Sequence, residues 1–175
     1  MDARVFILSL VTIQVCAGCS PRPASTEPDV ESPQITLQVG NQSFSTEEGD
    51  GVPLDACAEI RRFPVQLSVA AADRGGGGIA TVVVGALAGT IADVSVAPDT
   101  AATSLTLDRA THVLTITPRP PAGSVQPNLL ATFTVDQPAA ITVDAIDTSR
   151  NRAHHYQVDL RPAGDPVICR GETVP

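Results

Sequence analysis

The chain has 175 residues, enough for one domain of ordinary size with short appendages, and no second core fits beside it. Its formal net charge of -8, with 11 cationic residues that are all arginine, argues against attraction to phosphate backbones or anionic lipid heads, so no nucleic-acid partner is expected. Hydrophobic residues reach 43% and aromatics only 3%, an apolar content of Ala, Val, Leu and Ile spread between turn formers that excludes a disordered chain.

Residues 1–18 read as a secretory signal peptide. Asp2 and Arg4 form a short charged region, and Val5 to Val15 is apolar except for Ser9, Thr12 and Gln14. That run is too short to span a bilayer, which takes about 20 residues. Small residues Ala17 and Gly18 follow, as signal cleavage requires, and Cys19 comes next. "AGC" at residues 17–19 resembles the cleavage motif of bacterial lipoproteins, although Cys16 stands where that family usually has Leu. The resemblance implies that residues 1–18 are removed and that Cys19 carries a diacylglyceryl thioether and an amide-linked acyl chain. It also implies contact with a membrane through this lipid anchor. At about 0.8 kcal/mol per buried methylene, three acyl chains would make release negligible. Ser20 beside the lipidated cysteine implies sorting to the outer rather than the inner membrane, with exposure to the periplasm or cell surface. The competing reading is a secreted protein cut after Ala17 or Gly18, with Cys19 as a free thiol.

Residues 19–34 comprise the lipidated cysteine and a tether, "SPRPASTEPDVESPQ", with four prolines and no apolar periodicity. At about 3.1 Å per residue, such a segment could hold a domain up to roughly 45 Å from the membrane. Residues 35–171 then form one domain whose dominant period is two. Val65, Leu67, Val69 and Ala71 alternate with Gln66, Ser68 and Ala70. Similar alternations run through Leu129–Val135, Ile141–Ala145 and Tyr156–Leu160, and further strands are expected at "TLQV", "IATVVV", "IADVSV", "SLTL" and "HVLTIT". Gly85 and Gly89 are expected to bracket a turn or bulge at "GALAGT". No helical stripe interrupts the series, so an all-β, antiparallel sandwich follows. "VAAADRGGGGIATVVVG" and "ITVDAIDTSRNRAHHYQVDL" resemble the early strands and the closing hairpin of bacterial immunoglobulin-like domains, with Arg150 in place of the usual turn glycine before Asn151. The resemblance implies an immunoglobulin-like sandwich.

Reactive chemistry is sparse. Gly75–Gly78 has no following Lys and leads into a strand, so it reads as a turn and not as a phosphate cradle. His154 and His155 would point to opposite faces of a strand and cannot share one ion, which leaves only a pairing of one of them with His112. No nucleophile motif is present and no catalytic, cofactor-binding or metal-binding residue is assigned. Two alternatives are weighed: Ca²⁺ held by Asp73, Asp144 and Asp147 at strand ends, and a glycan. A glycan is disfavoured because Phe44, Phe63, Phe133 and Tyr156 are the only aromatics of the mature domain and at least two of them face its core. Once Cys16 is discarded and Cys19 acylated, Cys57 and Cys169 remain in an oxidising compartment and are expected to form a disulfide clipping the entrance of the core to its exit. The expected function is a structural or protein-protein interaction module with a protein partner in the cell envelope, not an enzyme.

Overall fold

The computed structural model describes residues 29–46, 55–97, 103–153 and 156–164, and among these every regular element is a strand. They are β1 (Gln34–Val39), β2 (Gln42–Ser45), β3 (Asp55–Ile60), β4 (Val65–Ala72), β5 (Ile79–Leu87), β6 (Ile91–Ala97), β7 (Ser104–Asp108), β8 (Val113–Thr117), β9 (Asn128–Val135), β10 (Ala139–Asp147) and β11 (Tyr156–Pro162). Two sheets result. One has the order β2-β1-β4-β9-β6 and the other β3-β11-β10-β5-β8-β7. Cys19 and the rest of the signal and lipidation region lie outside the described residues.

The pairing order gives the immunoglobulin frame. In β1-β4-β9-β6 the strands occupy the A-B-E-D positions of such sandwiches, and β11-β10-β5 occupy G-F-C. The route between β5 and β9 is this chain's own: from β5 the chain crosses to β6 in the facing sheet, then returns as the β7–β8 hairpin to cover β5. The sandwich is not wholly antiparallel, because β3 pairs with β11 in parallel, with Cys57 opposite Asp159.

The core follows from period-two patterning. Leu67, Val69 and Ala71 of β4, Leu129 to Val135 at alternate positions of β9, and Ile141, Val143 and Ala145 of β10 are buried and form one cluster with residues of both sheets. Each fully buried Leu, Ile or Phe contributes about 1.5–3 kcal/mol, so Phe133 and its neighbours supply the main driving force. Val65, expected among them, is only half-buried at the start of β4. Gly85 brackets no turn: it lies inside β5, where a Cβ would meet the Thr142 hydroxyl oxygen of β10 at 2.6 Å. The turn falls later, at Ala88 and Gly89. There the Thr90 N–H donates to Asp136 Oδ1 at 2.8 Å and holds that exposed carboxyl below its ordinary pKa.

The alternate positions of β2-β1-β4-β9-β6 face outward. Ser43, Gln38, Ser68, Thr132 and Ser95 form one row across all five strands, and Ser45, Thr36, Ala70, Leu130 and Ala97 form the next. Neither row holds a charge. The edge strand β6 is interrupted by a register shift between Ala92 and Ser95, with Asp93 at φ 49°, a bulge of the kind that spoils an edge for pairing with another chain.

Candidate functional site

Three carboxylates converge at the end of the sandwich where β4 leaves and β10 finishes. One oxygen each of Asp29, Asp73 and Asp147 lies within 4.8 Å of the others, and Asp73 and Asp147 are buried. Strand parity explains who is present. Ile141, Val143, Ala145 and Asp147 share the inner face of β10, whereas Asp144 falls on the outer face and pairs there with Arg152 at 3.2 Å. Of the three calcium candidates in the sequence, Asp73 and Asp147 therefore meet, Asp144 does not, and Asp29 from the tether takes the third place.

Each side chain is held by backbone that the local sequence dictates. Asp73 accepts the Gly75 N–H at 3.0 Å through Oδ1 and the Gly78 N–H through Oδ2, which folds the glycine run over its carboxylate. Asp147 organises the following turn by accepting the Asn151 N–H at 2.7 Å and the Asn151 side-chain amide at 2.8 Å. Arg150 completes that turn at φ 72°, so an arginine adopts the left-handed backbone natural to glycine. Thr148 joins the two loops, its N–H donating to the Gly78 carbonyl at 2.9 Å and its hydroxyl to the Gly77 carbonyl.

The glycine run is more than a turn. The Gly77 N–H donates to Asp29 Oδ2 at 3.2 Å, and Asn151 Nδ2 donates to the Asp29 carbonyl at 2.9 Å. A Cβ on Gly75 would sit 1.7 Å from Asp29 Oδ1, and one on Gly77 would sit 2.8 Å from Asp29 Oδ2. Glycine is thus required to admit a carboxylate of the chain's own tether. Docking of Asp29 was not legible in the Pro-rich sequence, since no local pattern links residue 29 to residues 75–77. The hard-oxygen set suits Ca²⁺ better than a softer metal, although both oxygens of Asp73 and of Asp147 already accept hydrogen bonds.

The other sequence candidates are dispersed. His112 sits in the β7–β8 turn at φ 56°, and His154 and His155 lie outside the described residues. Phe133 is buried, and Phe44 and Phe63 pack against the core. Cys57 precedes the strand that starts near Phe63, β4, and itself belongs to a further strand that was not expected, β3. Its neighbour Ala58 points into the core, so Cys57 faces out of the sheet, half-buried and disulfide-bonded. A bond there lies on the outer face and not at the core entrance. Cys169, the expected partner, lies outside the described residues.

No protein-family model and no curated protein matches the chain. Among solved structures, the pilus backbone (RrgB) from Streptococcus pneumoniae is similar at 15% identity and a TM-score of 0.39, covering 66% of this chain and 52%, about half, of that one. The immunoglobulin-like assignment rests on the order of the strands in the two sheets.

Proposed function

We propose that the chain is a lipid-anchored envelope protein, held at Cys19 in the outer membrane, whose sandwich serves as a structural or protein-interaction module without a catalytic role. The observation that supports this is the seating of Asp29 in the glycine loop. It joins the segment following the lipidation motif to one defined end of the domain, so that the tether enters there. Replacing Cys19 with Ser tests the anchor: the variant should leave the membrane fraction and lose the mass of its acyl chains. Retention after a high-salt wash with unchanged mass overturns the reading. Crosslinking of the tagged protein in its native envelope then identifies the partner.

The converging carboxylates favour one second reading, a Ca²⁺-dependent module in which the ion would bind Asp29 to Asp73 and Asp147. On that reading millimolar Ca²⁺ raises the melting temperature and a chelator reverses the rise. No shift in either direction removes it.

A further inference from the structure

Four strands end the two sheets, β2 and β6 in one, β3 and β7 in the other. A free edge offers unpaired N–H and C=O groups, which proteins protect with charge, proline, a bulge or shortness. β6 carries the bulge between Ala92 and Ser95, and β2 has only four residues, one of them apolar. The inward Ala58 and Ile60 of β3 are already buried, so a further strand would gain little there. β7 differs from all three. Its register with β8 is unbroken from Ser104 to Asp108, it contains no proline or lysine, and its second edge makes no hydrogen bond among the described residues.

The inner side of this edge is incompletely covered. Leu105 stands opposite Ile116 and Leu107 opposite Leu114, so both leucines share the inward face of these buried partners. Leu105 is nonetheless 45% exposed. Topology supplies the reason: β9 packs over β5, so counting outward places β6 over β8 and leaves β7 beyond the rim of the facing sheet.

The residues of β7 say what would cover it. "SLTLD" nearly matches its own reversal, so an antiparallel second copy centred on Thr106 puts Leu105 opposite Leu107, Ser104 opposite Asp108 and Thr106 opposite itself. Directly opposite residues share a face, so the leucines of both copies fall on the inner side and make two cross-strand apolar pairs. No like charges meet, because Asp108 is the only charged residue of the strand and stands against Ser104. Its carboxylate is also turned toward its own chain, accepting the Ala110 and Thr111 N–H groups at 2.9 and 3.3 Å. A two-fold axis through Thr106 closes the contact as a dimer and leaves no edge of β7 for a third copy.

We propose that β7 is a self-recognition edge through which two copies of this chain pair antiparallel about Thr106, joining their six-stranded sheets into one. The inference goes beyond the anchored-module reading and needs only β7, so the release of Cys19→Ser from membranes and the pairing of β7 can each fail without the other. Five residues bury less than a standard interface, so the pairing is weak and reversible. The test is sedimentation equilibrium of the full-length protein in density-matched detergent, where the protein mass should rise from one copy to two with concentration. Thr106→Lys sets two lysines against each other and Thr106→Glu two glutamates, and each should weaken self-association about fivefold. An equimolar mixture of the two variants should restore it. Position 106 is exposed, so both variants should melt with the parent. Under mild oxidation Thr106→Cys should give a covalent dimer linked from position 106 to position 106, whereas Ser43→Cys, also exposed and in edge strand β2, should not. A single copy at every concentration, equal crosslinking of the two cysteine variants, or no recovery in the mixture of Lys and Glu variants would each overturn the proposal.

Discussion

At Arg150 a single residue carries a measurable conflict between sequence and backbone. Its φ of 72° places the β-carbon too near the following carbonyl, a cost of about 1–2 kcal/mol for a residue other than glycine. The side chain recovers none of this, since it makes no hydrogen bond or ion pair among the described residues. Arg150→Gly relieves the strain but gives the unfolded chain more freedom, worth about 0.4–1 kcal/mol in the opposite sense. Relief of strain outweighs that freedom. The variant should gain about 0.5–1 kcal/mol in urea unfolding, whereas Arg150→Ala, which keeps the strain, should stay within about 0.5 kcal/mol of the parent. A loss of stability in the glycine variant would show that this turn gains something from arginine that its geometry does not reveal.

Among elements, the β4–β5 loop is where packing, and not turn chemistry alone, decides which glycines matter. Gly76 and Gly78 both have positive φ, 94° and 83°, yet a Cβ on Gly76 meets nothing within 4 Å, whereas one on Gly78 would lie 2.9 Å from Val125 Cβ and 3.0 Å from the Gln126 backbone nitrogen. Gly76→Ala should therefore cost only the backbone strain of about 1–2 kcal/mol. Gly78→Ala adds overpacking and should cost about 2–4 kcal/mol. Equal losses in denaturant titrations would mean that the Val125 loop yields freely. This loop also marks how far the sequence could be read. Turn chemistry was visible in four consecutive glycines, and strand alternation was visible in β4, β9, β10 and β11, where apolar residues recur at every second position. The same parity separates inward Asp147 from outward Asp144. β2 and β3 were hidden for a physical reason: "QSFS" has a single apolar residue, and "DACAEI" is built largely from residues with poor strand propensity. They are strands because neighbours pair with them. The seating of Asp29 and the bulge at Asp93 are likewise products of tertiary contact, and no window of local sequence contains them.

For the molecule as a whole, β3 is an edge that can open locally. Among the described residues it pairs only with β11, in the slightly less stable parallel arrangement, with Ala58 and Ile60 as its buried anchors. A bond from Cys57 to Cys169 would tie this edge to the chain just beyond β11. Because Cys57 faces outward, losing the bond opens no cavity in the core, and the effect acts through the unfolded chain. Closing a loop of about 113 residues is worth roughly 4–5 kcal/mol on the entropy model, a large share of the 5–15 kcal/mol typical of a domain. Three expectations separate this from two independent thiols. Cys57→Ser and Cys169→Ser should each lower stability by about the same amount, within the 2–5 kcal/mol usual for a native disulfide. The double variant should lose no more than either single one, since the second substitution removes a bond already broken. Amide exchange at Ala58 and Ile60 should accelerate in every variant before exchange in β4 or β9 changes, because an edge strand opens locally at lower free energy than the core. Additive losses in the double variant, or alkylation of both cysteines in unreduced protein taken directly from the envelope, would refute the pairing.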